Sequence, residues 1–237
     1  MSKKPLLGIL GGMGTAAGLY FQKLLFDACI ERGIKRDQDY PEWIYFNASQ
    51  APDRTDALLK NGESPANYIS NIINRIDKAG VELIVVACNT AHSFYDEIIA
   101  QTNLPWINLQ TETTNFIKRK GYNSAALMST EGTLKSGLYR KALEPLKIKY
   151  FEPQIDSEIQ RNITDAIFNT AYGIKVTGSE ISREAINNLQ HVVDQIECEA
   201  IIAGCTELSL VDKYLSLKAD WLDPMKITAE VCADKII

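Results

Sequence analysis

Two short segments of this 237-residue chain recur at nearly the same interval. Gly14-Thr15 follows the apolar run 6–10 and Gly132-Thr133 follows the apolar run 125–128, 118 residues later. Cys88 and Cys205 each end an apolar, β-branched run and lie 117 residues apart. Within each half the Gly-Thr pair precedes the Cys by 74 or 73 residues. Spacing kept this closely predicts an internal duplication with a period of about half the chain.

Each half alternates short apolar runs with amphipathic stretches, the pattern of βα units on a parallel sheet. The first half reads as a strand over 6–10, a tight loop over 11–15, a helix to about residue 32 and a strand over 43–47. A helix over 64–79 follows, with Ser64 as N-cap, Pro65 at its first position, and Tyr68, Ile69, Ile72, Ile73 and Ile76 as its buried stripe. A buried strand over 83–87 completes the unit. The second half reads as strands over 125–128, 148–151 and 200–203, a helix to about 143, and helices around 155–171 and 179–197. The expected fold class is α/β, with two pseudo-symmetric duplicated α/β domains whose mainly parallel sheets face each other across a cleft. The expected division is residues 1–110 carrying Cys88 and 111–212 carrying Cys205, with 213–237 crossing back to join the first half. The boundary falls near 104–122, where Leu104-Pro105 breaks a helix and Lys118-Arg119-Lys120-Gly121 forms a charged turn.

Composition narrows the function. The chain is 46% apolar, enough for a substantial core, and its 25 Lys and Arg against 30 Asp and Glu leave a net charge of −5. No basic footprint for nucleic acid or an anionic membrane is present. No apolar run approaches the roughly 20 residues that span a bilayer, and residues 1–5 carry no signal pattern, so a cytoplasmic location is expected. Five widely spaced cysteines without a CxxC pair suggest neither a disulfide framework nor a metal site. In a reducing compartment each is a small core residue or a reactive thiol.

Open parallel sheets bind ligands beyond the carboxyl ends of their strands, so Cys88 and Cys205 are expected to meet across one shared cleft. A single Cys at a strand end is more often a packing residue; two at matched positions, each followed by hydroxyl or amide side chains, reverse those odds. A helix N-terminus behind each Cys is expected to lower its thiol pKa from about 8.5 toward neutrality. Cys29, Cys198 and Cys232 lack these flanks and read as packing residues.

These residues resemble the aspartate/glutamate racemase family across essentially the whole chain. The resemblance rests on LGILGGMGT, NASQAPDRT, ALMSTEGTLKSGLY and the pair ACNTAH and GCTEL. It implies a cofactor-independent amino acid racemase in which Cys88 and Cys205 flank the substrate α-carbon, one removing its proton and the other supplying one to the opposite face. Inverting a stereocentre through a planar carbanion needs a proton carrier on each face. Sulfurs held about 3 to 3.5 Å from the reacting carbon lie roughly 7 Å apart, too far for a disulfide.

The resemblance also implies a small acidic amino acid substrate bound by Met13, Asn89, Thr90, Ala91, Thr130, Thr206, Lys175 and Arg54, with Arg54 the candidate cation for the distal carboxylate. Read from the residues alone, Asn89 and Thr90 also suit helix capping. Arg54 suits a turn, offering its fork to a carboxylate or pairing with Asp53 or Asp56, and Lys175 suits a solvated loop between helices. His92, one helical turn after Cys88, is expected to support that residue, and His191 to sit exposed on a helix. Glutamate racemases of similar layout carry a His after the second Cys-Thr and an Asp-Ser pair in the first glycine-rich turn. Here those positions are Glu207 and Leu10-Gly11, which favours aspartate, with glutamate as a further substrate. The family often forms homodimers, so a homodimer is expected. The alternatives are maleate isomerase or hydantoin racemase chemistry on the same scaffold, and a non-catalytic binder of dicarboxylates such as citrate or malate. A redox dithiol is opposed by the inferred sulfur separation.

Overall fold

The computed structural model describes residues 4–178 and 180–237. The first half contains β1 (Leu7–Gly11), α1 (Thr15–Glu31), β2 (Trp43–Asn47), α2 (Arg54–Leu59), α3 (Ala66–Asp77), β3 (Leu83–Val86), α4 (Tyr95–Ile99), β4 (Trp106–Ile107) and α5 (Leu109–Lys120). The second contains β5 (Ser124–Met128), α6 (Glu131–Ser136), α7 (Leu138–Leu143), β6 (Lys149–Phe151), α8 (Glu158–Phe168), α9 (Ile174–Thr177), α10 (Arg183–Val193), β7 (Ala200–Ala203), β8 (Asp220–Leu222) and α11 (Pro224–Ile236).

Two four-stranded sheets result, ordered β2-β1-β3-β4 and β6-β5-β7-β8, and all their pairings are parallel. The two orders are the same, and the registers repeat: Leu10 lies opposite Val86 in one sheet and Met128 opposite Ala203 in the other. A matched acid even opens each third strand. The carboxylate of Glu82 accepts from the Leu6 amide at 3.1 Å, and that of Glu199 accepts from the Asn123 amide at 2.7 Å.

Parallel sheets are covered on both faces, and strand alternation sorts their residues between two cores. Leu83, Val85 and Ala87 pack with α1 and α11, whereas Ile84, Val86 and Cys88 pack with α3 and the segment after β3. The equivalent residues Ile201, Ala203 and Cys205 pack with α8 and α10. Leu109 of α5 and Met225, Ala229, Cys232, Ala233 and Ile236 of α11 enter the core of the first sheet, while Ile117 and Ile227 of the same helices enter that of the second. These two helices therefore tie the sheets together.

Several local details differ from expectation. The third helix begins at Ala66 with Pro65 as its cap, and Ser64 Oγ accepts from the Ala66 amide at 3.3 Å from one position further out. The helix expected to run to about 143 divides at Gly137, whose φ of 65° ends α6 in the left-handed region. The helices near 155–171 and 179–197 are shorter, Glu158–Phe168 and Arg183–Val193, and Ser179 lies outside the described residues. Among the described residues no helix is long and apolar enough to cross a membrane.

Candidate active site

In each sheet the first strand has the second on one side and the third on the other, which opens a crevice between β1 and β3 and between β5 and β7. The turns after all four strands lead into one cavity. It is lined by Met13 after β1, Cys88, Asn89 and Thr90 after β3, Thr130 after β5, and Cys205, Thr206 and Glu207 after β7. Asp53, Arg54 and Thr55 at the start of α2, Phe168 at the end of α8 and Lys175 on α9 complete the wall. The first glycine-rich turn reaches it through Gly12, at φ +90°, where a side chain would meet the backbone of Ala48 and Ser49.

Both thiols are nearly buried, Cys88 at 4% and Cys205 at 5% exposure. Each is followed by a single 3-10 turn, Thr90–Phe94 or Thr206–Leu210, in place of the expected α-helix. The thiol pKa of Cys205 is accordingly not lowered. Burial pushes it well above the ordinary value, and the Glu207 carboxylate adds to the effect. Cys205 is a thiol at neutral pH and donates to Glu207 Oε2 at 2.9 Å. The other oxygen of Glu207 pairs with Lys175 Nζ. Burial works against both charges of this pair, but mutual attraction prevails, lowering the Glu207 pKa and raising that of Lys175.

Asn89 is fixed by its oxygen, which accepts from Tyr139 Oη at 2.7 Å and from Gln110 Nε2 at 3.1 Å. Its Nδ2 is buried with no partner, a donor left for something else. Thr90 does not cap a helix: its Oγ1 lies 3.0 Å from both Thr130 Oγ1 and Thr133 Oγ1, joining the two halves by hydroxyls. His92 acts on the backbone of Cys88 and not on its sulfur. Its Nδ1 meets the Cys88 carbonyl at 2.8 Å, and its Nε2 accepts from the Leu109 amide at 3.3 Å. That pattern fixes a neutral ring with Nδ1 protonated, and burial lowers its pKa to about 4.

A sequence model of the family described as Asp/Glu/Hydantoin racemase matches residues 10–232. The chain belongs to that family. Over 230 residues it is 26% identical to the broad specificity amino-acid racemase RacX of Bacillus subtilis, covering 90% of this chain and 100% of that protein. Aspartate racemase of Picrophilus torridus superposes with a TM-score of 0.82 at 26% identity, covering 98% of this chain and 95% of the other. Glutamate racemase of Francisella tularensis, solved with D-glutamate, shares the fold at a TM-score of 0.69 and 15% identity, covering 99% of this chain and 81% of the other.

Within this family member, the cavity gathers Cys88, Cys205, Met13, Arg54, Asn89, Thr90, Thr130, Lys175 and Thr206. Ala91 is not among them: fully buried, it packs in the core behind β3. Arg54 opens a helix, where a turn was expected, and its fork is engaged by the carbonyls of Ala51, Pro52 and Met13 at 3.1 to 3.3 Å. Its Nε is buried without a partner. Neither acid suggested as its partner takes it, since Asp53 caps α2 and Asp56 pairs with Lys60. Lys175 lies on the one-turn helix α9 and pairs with Glu207, whereas a solvated charge was the alternative. Cys29 and Cys232 are core residues and His191 is exposed on α10. Sequence reasoning missed the placement of Glu207. The signal was a lone charge inside the apolar stretch AIIAGCTELSLV, where only a buried partner makes a carboxylate tolerable.

Proposed function

We propose that the protein interconverts L- and D-aspartate, and glutamate as a second substrate, by cofactor-independent proton transfer between Cys88 and Cys205. One observation carries the reading: two buried thiols from equivalent positions of a duplicated fold line the same cavity. One sulfur, as thiolate, takes the α-proton and leaves a planar carbanion. The other, as thiol, gives a proton to the opposite face, so the stereocentre inverts and the pair ends with its protonation exchanged. Cys205, which donates to Glu207 at rest, starts as the proton donor.

The α-proton of an amino acid is a weak acid, so negative charge that develops toward the α-carboxylate must be met by preset donors. The unpartnered Nδ2 of Asn89 supports this role, with Thr206 on the wall of the same cavity. Lys175 supplies the charge for the side-chain carboxylate, and the free Nε of Arg54 a further donor. The likeness to the Picrophilus aspartate racemase supports aspartate as substrate. The equal identity to RacX supports a second reading, a wider amino acid range.

Exchange of the α-hydrogen with deuterated solvent, followed by NMR for each enantiomer of aspartate, glutamate and alanine, tests the proposal. Wild type should exchange and racemise both enantiomers of aspartate. Cys88→Ser and Cys205→Ser should each lose racemisation by about 10²-fold or more, the span of general acid-base catalysis, while keeping the fold. Racemisation retained by either folded variant refutes the two-thiol assignment. Exchange with alanine as fast as with aspartate selects the wider range.

A further inference from the structure

The chamber that holds the two thiols is small. Its free volume is about 20 Å³, and about 10–15 Å³ already suffices for one water. Beside it lies an open hollow of about 430 Å³. The two share Met13, Asp53, Arg54, Phe168, Lys175 and Glu207, so these residues form the partition between them. The partition includes the ion pair of Glu207 and Lys175.

Glu207 is placed there as a bound carboxylate would be. One oxygen receives Lys175 Nζ, and the other receives Cys205 Sγ at 2.9 Å and Thr206 Oγ1 at 3.3 Å. Gly14 leaves the room, since a Cβ at that position would collide with Glu207 Oε1 and sit 3.2 Å from Lys175 Nζ. The ionisable wall groups other than the thiols are Asp53, Glu207, Arg54 and Lys175, two acids and two bases. Asp53 is occupied as a helix cap, and the two terminal nitrogens of Arg54 are held by backbone carbonyls, leaving only its Nε without a partner. A second carboxylate entering the chamber therefore meets a lysine that an internal carboxylate already holds.

We infer that Glu207 is an internal surrogate for the side-chain carboxylate of an acidic ligand, closing the chamber by holding Lys175 until such a ligand displaces it into the outer hollow. The competition sets how strongly the site prefers dicarboxylic to monocarboxylic compounds. This rests on the cavity being an acidic amino acid site, as proposed above, but not on the thiols turning the ligand over.

Titration calorimetry with succinate and propionate at pH 7.5, on wild type and Glu207→Gln, tests the inference. Gln keeps the size of the side chain and an oxygen for Cys205, and releases Lys175. Losing a charge-assisted competitor should tighten succinate binding about tenfold or more while propionate changes less than about threefold. A folded variant that binds succinate no more tightly than wild type overturns the inference, as does succinate binding to neither protein. Should the variant not fold, a crystal structure of wild type with succinate decides. Glu207 parted from Lys175 supports the inference, and Glu207 still on Lys175 beside bound succinate overturns it. Succinate has no amino acid stereocentre, so the expected titration together with absent racemisation would sink the racemase proposal alone.

Discussion

Acidification should loosen the molecule through His92, by an amount the geometry sets. The ring is 2% exposed, with Nδ1 donating to the Cys88 carbonyl and Nε2 accepting from the Leu109 amide, so a second proton has no partner. Its pKa falls from 6.5 to about 4 on folding. Between those values the unfolded chain binds more protons than the folded one, so stability is lost as pH falls through that window. The full difference of 2.5 units (6.5 − 4) is worth about 3 kcal/mol, and about 2 kcal/mol of it is spent between pH 7 and pH 4.5. Other carboxylates also titrate there, so the comparison needs His92→Asn, whose amide nitrogen stands where Nδ1 does but which does not titrate. The variant loses the acceptor for the Leu109 amide and starts about 1 kcal/mol lower at pH 7. Urea unfolding at both pH values is expected to give a drop for wild type about 2 kcal/mol larger than for the variant. Equal drops would refute the neutral, buried His92 and with it the tie that holds the backbone of Cys88 against α5.

Asp223 should act in the opposite sense. It caps α11 and accepts from Ser209 Oγ, yet burial raises its pKa from 3.8 to about 6, so its contribution is present below pH 3.8 and lost as pH rises through 6. Wild type is expected to lose about 2 kcal/mol relative to Asp223→Asn between pH 4 and pH 7, read by urea unfolding; no relative change would refute it. Gly204, the residue before the second thiol, tests the packing there. A Cβ would collide with Leu127 and lie 3.0 Å from Ser129 Cβ and 3.2 Å from the Met128 carbonyl oxygen. Gly204→Ala is expected to cost about 1 to 3 kcal/mol in denaturant unfolding, and an unchanged midpoint would refute that packing.

Much of the fold was legible because its signals are local. The runs Leu83–Val86 and Ala200–Ala203 are too apolar and β-branched to lie anywhere but inside a parallel sheet, and the Gly-Thr and Cys spacings carry the duplication. The edge strands β4 and β8, of two and three residues, are too short to show a period. The stretch after Cys88 has a helical pattern, but His92 is held by the Cys88 carbonyl and the Leu109 amide, and the chain runs as a 3-10 turn. Residues such as Cys88, Asn89 and Thr206 could be picked out because they sit beside strand ends. The partners that decide their state could not, since Tyr139 reaches Asn89 from 50 positions away and Lys175 reaches Glu207 from 32. The first contact exists only once both sheets are assembled, the second only once the second half has packed α9 against the turn after β7.

Duplication alone would hand a two-base enzyme a difficulty. Proton transfer across a stereocentre needs one sulfur protonated while the other is not, and two copies of one environment favour neither arrangement. The backbone here is duplicated closely, with one strand order, repeated registers and a 3-10 turn after each Cys. The side chains that follow are not. Cys88 precedes an amide whose oxygen is held by Tyr139 and Gln110, whereas Cys205 lies two residues from a carboxylate to which it donates. Burial disfavours negative charge on Cys205 and an anion at that distance adds to the effect, so Glu207 helps to hold the proton on this thiol. If an acidic substrate displaces Glu207, the carboxylate's share of the brake on Cys205 lifts as the substrate arrives. Admission of the ligand and readiness of the second thiol are then one event, governed by a single side chain that the first half of the duplication does not possess.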